Sequence, residues 1–351
     1  FLAPETTYVA ADVIPGRITV HHPTKNYTPS GPGALGGDAA LTKRSAGTLS
    51  LSGTNTYSGG TTLDSDAGTV IATVNAFQSG IGSGPVAIGS GSTLTLDNSN
   101  TSAATLSQAN TVTGTGVLRL SFATNTAARR TVLTGLAGFN GTVQLAGVSS
   151  TGDKWDAGSL AAPGASVQVL SGSTLLISGA TAGFGSLALQ GAGNSEGRGA
   201  LRMGAGASSL TGPITLLGSA TLASDAAGAT LSGAITGTAG AGATNLLTQG
   251  TSASAAGCVL SGPISDGGAG GKVALAQTKG TLVLSGTNTY GGGTTVNNGS
   301  ALQLGADGGL PASGALVLGG TNGVGSLSLG SFSQTLASLT ASSSSASVNT
   351  V

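Results

Sequence analysis

The chain has 351 residues and a formal net charge of zero, with 12 basic and 12 acidic residues, 63 glycines and one cysteine. Charged residues make up 7% and hydrophobic residues 39%, against a usual charged share of about 25%. That balance excludes a disordered chain, which is normally charged and poor in Val, Ile and Leu, and the aperiodic glycine excludes collagen. No apolar run reaches the roughly 18 residues of a membrane helix. No basic stripe is present to follow a phosphate backbone, so nucleic acid is not a partner. Cys258 has no second cysteine to pair with and reads as a small buried hydrophobe.

Residues 1–45 stand apart. Pro4, Pro15, Pro23, Pro29 and Pro32 fall here, as do both histidines, His21 and His22. Proline removes a backbone donor and fixes φ, so this segment reads as an extended arm with one or two strands, such as Gly16–His22. The arm is expected to act as a cap or a docking segment. His21 and His22 are adjacent, so they point to opposite faces of a strand. They read as solvent-exposed rather than as metal ligands.

From residue 46 onward the texture is constant. Short alternating runs of Thr, Val, Leu and Ile predict strands. They include TLSL at 48, TVIA at 69, VAI at 86, TLTL at 93, VLRL at 117, SVQVL at 166, SLALQ at 186, LVLS at 282, ALQL at 301, ALVL at 315 and SLSL at 326. Gly- and Asn-rich punctuation such as FNG at 139, NNGS at 297 and TNG at 321 supplies turns. No helical stripe is present.

The chain also repeats itself. GTLSLSGTNTYSGGTTL from Gly47 returns as GTLVLSGTNTYGGGTTV from Gly280, with three differences. The blocks 47–96 and 280–329 share their strand order. A weaker copy at 133–147 puts Phe139 where Tyr57 and Tyr290 stand, and echoes occur at 210, 231 and 260. The interval from Leu51 to Ile71 equals that from Leu284 to Leu304, and it is enough chain to leave a face and return to it. That spacing describes the rung of a parallel β-helix, stacked about 4.8 Å from its neighbours. About 15 rungs, a rod of roughly 70 Å, are expected. A propeller would need regular four-stranded blades, and a sandwich would carry more than 3% aromatic residues.

Within the repeat, Asn55 and Asn288 sit at a turn, where Asn bonds local backbone or stacks into a ladder. Tyr57 and Tyr290 are expected to cover the apolar face at a corner with the hydroxyl reaching water. Gly59-Gly60 and Gly292-Gly293 let the chain turn.

The search for chemistry is negative. Gly193-Asn-Ser195-Glu-Gly197 matches G-x-S-x-G, but that motif needs strand–turn–helix geometry and a histidine partner. Asp64 with Asp66, and Asp153 with Asp156, are sparse loop pairs without the calcium-binding repeat. Gly271-Lys272 lacks the P-loop hydroxyl and spacing. Gly152–Ala157 (GDKWDA) holds the only Trp and reads as a loop leaving the rod, an exposed contact or a structural cap. No catalytic, cofactor-binding or metal residue is assigned, no cofactor or small-molecule substrate is implied, and the chain is not read as an enzyme.

The repeated stretch, Leu-x-Gly-x-Asn-Thr-Tyr-x-Gly-Gly-Thr-Thr, resembles the passenger-associated transport repeat of Gram-negative autotransporters (type V secretion). The resemblance is close over the two copies, from Gly47 and from Gly280, and loose over the texture after residue 45. It implies a right-handed parallel β-helix passenger, here 46–351. Such a passenger is exported through a C-terminal outer-membrane β-barrel of the same precursor and folds progressively as it emerges. Barrel strands would show ten-residue alternation with aromatic girdles, whereas this chain closes on a Ser-rich tail from residue 341. Beginning at Phe1, it reads as a trimmed piece of something longer. Scarce cysteine suits export of an unfolded chain. The function implied is that of a secreted or cell-surface structural or adhesive passenger, with copies of itself or other surface molecules as partners and fibres as one outcome. The alternative is the stalk of an enzyme passenger, a protease or esterase, whose catalytic domain lies outside this chain.

Overall fold

The computed structural model describes residues 5–75, 78–98, 105–121, 130–147, 152, 154–204, 208–251, 256–320 and 323–342. All-β structure with parallel strands stacked as a β-solenoid of about 12 turns accounts for them. Two compact units divide the chain: residues 1–156 with 160–168, and 157–159 with 169–351.

In the first unit, one ladder stacks Thr48–Leu51, Thr69–Asn75, Thr93–Asp97, Val117–Ser121 and Thr142–Ala146 in parallel register. Period-two alternation sends every second side chain inward. The inward residues therefore form columns, one of Leu49, Val70, Leu94, Leu118 and Val143, the next of Leu51, Ala72, Leu96, Leu120 and Leu145, all buried. A β-branched or leucine side chain stacked on its like fills a narrow lumen without aromatic bulk. At roughly 25 cal/mol per Å² of apolar surface, this repetition is the main stabilising term. Outward positions of the same strands form a column of Thr48, Thr69, Thr93, Val117 and Thr142. These keep strand propensity without charge.

The segment expected as an arm holds four strands over its described residues: Glu5–Tyr8, Arg17–His21, Tyr27–Ser30 and Ala40–Arg44. Glu5–Tyr8 pairs with Tyr27–Ser30, and Arg17–His21 with Ala40–Arg44 and through it with Thr61–Leu63. Proline is accommodated here because Pro4 precedes the first strand, while Pro15, Pro23 and Pro32 lie between strands. Only Pro29 lies inside one.

In the second unit, Ala229, Cys258, Leu282, Leu302 and Leu327 form one inward column and Leu231, Leu260, Leu284 and Leu304 the next. A further column runs Ala220, Leu247, Leu275, Thr294, Leu316 and Leu339. Cys258 is buried, as expected, and burial pushes its thiol up to about 12.

Coil length corrects the expected spacing. Leu284 does pair with Leu304, but Leu51 pairs with Ala72, one position beyond Ile71, which itself pairs with the outward Ser50. Elsewhere the step is longer still, as from Thr230 to Val259. Longer corners use more chain per turn, so the count falls from the expected 15 to about 12.

The Trp155 segment is a second correction. Lys154–Asp156 is a strand paired with Arg130–Val132, and Trp155 is 0% exposed. Asp156 is buried against the Arg130 guanidinium, so the acid and the Lys154 beside it mark a strand and not a loop tip. Asp153, the TNG turn at 321–322 and the tail from 343 lie outside the described residues.

Candidate functional site: the repeated corner

The corner after Leu51 begins where alternation stops. Gly53 has φ of 85° and Gly60 φ of 92°, values that L side chains avoid. Between them the chain crosses from Thr48–Leu51 to Thr61–Leu63. A Cβ on Gly59 would lie 2.5 Å from the Asp38 carbonyl oxygen and 2.6 Å from that of Ala39. The preceding coil therefore touches this backbone directly, and glycine is required for the approach.

Asn55 holds three coils together. Its Oδ1 accepts from the Leu35 N–H at 3.0 Å on the preceding coil, and its Nδ2 donates to the Gly80 carbonyl at 2.8 Å on the following one. Leu35 is gripped from both sides, since its carbonyl accepts from the N–H groups of Thr56 and Tyr57. The second copy reproduces the amide stitch and the threonine N–H bond. Asn288 Oδ1 accepts from Ile264 N–H at 2.8 Å, Asn288 Nδ2 donates to the Gly309 carbonyl at 2.6 Å, and Thr289 N–H donates to the Ile264 carbonyl. Both asparagines are buried. The amide thus bonds backbone a whole coil away in each direction, and the local turn bond considered from sequence is not the one made.

Tyr57 and Tyr290 correct the expectation of a wetted hydroxyl. Both are fully buried, and each hydroxyl meets a threonine in the next strand: Thr61 Oγ1 at 2.8 Å and Thr294 Oγ1 at 2.7 Å. Burial raises both phenols, Tyr57 to about 12 and Tyr290 further, so neither works as an acid or base near neutral pH. At 58 and 291, one of the three places where the copies differ, the same partner type survives. Ser58 Oγ donates to Asp38 and Gly291 N–H to Asp266, each on the preceding coil. The weaker copy keeps the buried ring, Phe139, but has Ala137 in place of the asparagine, so its amide stitch is missing.

Two features of this corner went unread in the sequence. Lys43 is buried and donates to the carbonyls of Ser45, Ala46 and Ala67 at 2.5, 3.3 and 2.8 Å. Gln277 is buried and donates to the carbonyls of Lys279 and Gly280 at 2.7 and 3.1 Å. The alternation of Leu41 and Lys43 within Ala40–Arg44 carried the signal, because it puts both on the inward face.

The remaining candidates stay apart. Ser195 is exposed on a turn, in a unit that contains no histidine. Its neighbour Glu196 binds Arg202, which also binds Asp225, itself bound by Arg198. His21 is exposed. His22 is half-buried, its Nδ1 accepting from the N–H groups of Thr24 and Lys25, which departs from the solvent-exposed expectation. Asp64 pairs with Arg44 across one coil step, and Asp66 sits at positive φ in a turn. Lys272 is exposed in the strand Lys272–Gln277. Among the described residues no group of three or more His, Cys, Asp or Glu side chains is arranged to hold a metal.

The family model of the passenger-associated-transport-repeat matches residues 41–72 and 279–304. The first match runs from the strand before the corner through the coil that receives it, and the second holds the corner of Asn288 and Tyr290. The chain carries this repeat twice, consistent with an autotransporter passenger domain. No curated protein and no solved structure matches the chain.

Proposed function

We propose that this chain is the structural and adhesive passenger of a Gram-negative autotransporter. It is exported through the outer membrane by a C-terminal β-barrel of the same precursor and stands at the cell surface or is released from it. It is not an enzyme. The observation that carries this reading is the repeat itself, whose two matched copies form the same three-coil stitch. An amide that binds the coil before and the coil after suits a chain that must stack coil by coil on reaching the far side of a membrane. A site of chemistry would need to occur once, while a corner recurs. The outward column of Thr48, Thr69, Thr93, Val117 and Thr142 presents neutral surface suited to contact with other surface molecules.

The test fuses the chain to a secretion leader and an outer-membrane β-barrel in a Gram-negative host. Intact cells are then probed with antibody and protease. Surface display of a protease-resistant chain is the expected result. Accumulation in the periplasm, with the barrel inserted, overturns the reading.

A further inference from the structure

Within the second unit, the inward column of Leu201, Leu222, Gln249, Gln277, Val296 and Leu318 is aliphatic except at its two middle members. Both glutamines are 0% exposed. They pair directly in parallel register, so they lie one coil, about 4.8 Å, apart. Their amide nitrogens are taken by the turns that follow. Gln277 Nε2 donates to the Lys279 and Gly280 carbonyls, and Gln249 Nε2 to the Ala256 carbonyl at 3.5 Å. These bonds fix which amide atom is the oxygen, because a flipped Gln277 would set its oxygen against two carbonyls.

Four buried side-chain oxygens of this corner have no hydrogen-bond partner among the described residues: Gln249 Oε1, Thr251 Oγ1, Gln277 Oε1 and Asn297 Oδ1. Register gathers them. Thr251 is two residues beyond Gln249, and Asn297 follows Val296, with its N–H on the Gln277 carbonyl. A threonine hydroxyl can donate, but an amide oxygen only accepts. These amide oxygens therefore call for a positive or hydrogen-donating neighbour, and an apolar column is a costly place to leave them without one.

The chemistry of the set selects the ligand. No Asp or Glu occurs in 245–251, 272–280 or 294–300, so the corner offers neutral oxygen alone. Calcium and magnesium are held largely through carboxylates, whereas neutral carbonyl oxygens replace the hydration shell of a monovalent ion. The first unit carries positive charge on such oxygens at the same place. There Lys43, paired with Leu63 as Gln277 is with Val296, holds its ammonium on three backbone carbonyls. The Lys279 ammonium stays outside, in an exposed bond to the Asn298 carbonyl. We propose that the Gln249–Gln277 corner binds a monovalent metal cation, potassium or sodium, between the two amide oxygens, with Thr251 and Asn297 adding to its oxygen shell. The ion ties successive coils in the second unit as the tethered ammonium does in the first.

The test follows amide hydrogen exchange of the full chain in KCl, NaCl and tetramethylammonium chloride at equal ionic strength. Thr278, whose N–H binds the Gln249 carbonyl, and Asn297 should be about tenfold better protected in KCl or NaCl, the factor for an ion at roughly ten times its Kd. Asp64, whose N–H binds the Lys43 carbonyl, should be equally protected in all three salts. Gln277→Lys, which tethers an ammonium as Lys43 does, should fold and lose the difference between salts. Gln249→Met removes one oxygen at similar volume and should lose it too, which gives the same reading should Gln277→Lys not fold. Equal protection of Thr278 and Asn297 in all three salts would overturn the proposal and leave water as the partner of these oxygens. A difference that survives in either folded variant would place the ion elsewhere and overturn it equally.

Discussion

Lys43 and Gln277, each just before one copy of the repeat, occupy the same place in the ladder against it. Lys43 pairs with Leu63 and Gln277 with Val296, the equivalent residues that close Thr61–Leu63 and Thr294–Val296. Each buried head group donates to the carbonyls two and three residues ahead. One copy meets the turn with a cation and the other with a neutral amide. The requirement at this place is for donors, and charge is incidental to it.

Lys43→Gln should change stability by no more than about 1 kcal/mol near pH 7, since it removes a buried charge and keeps two of the three donated bonds while giving up the one to the Ala67 carbonyl. Lys43→Ala should cost about 2–3 kcal/mol by leaving buried carbonyls unpaired. Burial lowers the ammonium pKa below its ordinary 10.5. The folded state then binds fewer protons than the unfolded state between the lowered value and 10.5, so this group's contribution rises with pH through that window. Denaturant titrations across alkaline pH should show that rise in the unaltered chain and its absence in Lys43→Gln.

Asn55→Ala should destabilise the first unit by about 2–3 kcal/mol, because it strands the Leu35 N–H and the Gly80 carbonyl. Asn55→Asp should do no better, since a carboxylate keeps the acceptor for Leu35 but sets an oxygen against the Gly80 carbonyl. Amide hydrogen exchange provides the residue-level check. Leu35 should lose protection in Asn55→Ala and retain more of it in Asn55→Asp, which keeps its acceptor, whereas Ile264, held by Asn288, should keep its protection in both.

Tyr57 ties stability to alkaline pH. Its folded pKa is raised from 10.0 to about 12 by burial, against the smaller opposing effect of the Thr61 bond. The contribution is fully present below about pH 10 and is lost as pH climbs to about 12, amounting to roughly 2–3 kcal/mol. Tyr57→Phe gives up the Thr61 bond, at about 1 kcal/mol near neutrality. In exchange it should flatten this part of the alkaline decline. Unfolding midpoints measured across the alkaline range would decide it, and equal slopes in both proteins would contradict the buried phenol.

Trp155 is the only tryptophan and is fully buried in Lys154–Asp156. Its emission should be blue-shifted in the native protein, resist quenching by iodide and shift red on unfolding. Free quenching in the folded chain would restore the exposed loop read from GDKWDA. Trp155→Ala should cost about 3–5 kcal/mol, as a large core deletion does.

The two copies from Gly47 and Gly280, the alternation of strands such as Thr93–Asp97, and glycine at corners such as Gly59-Gly60 were enough to specify a parallel solenoid and the places where its chain turns. That much is local: period two, turn chemistry and self-similarity are written along the chain. The partners across coils were not legible. Asn55 spends its amide on Leu35 and Gly80, Tyr57 buries its hydroxyl on Thr61, and Lys43 and Trp155 go inside against their polar or loop-like surroundings. Which residue lies above another depends on the length of every intervening corner. Those lengths differ from coil to coil, as the short step from Leu284 to Leu304 and the long one from Thr230 to Val259 show. Sequence by itself determined the rung and its corner. Only the tertiary stacking decided what each corner holds, because a coil's neighbours are set by register between turns and not by distance along the chain.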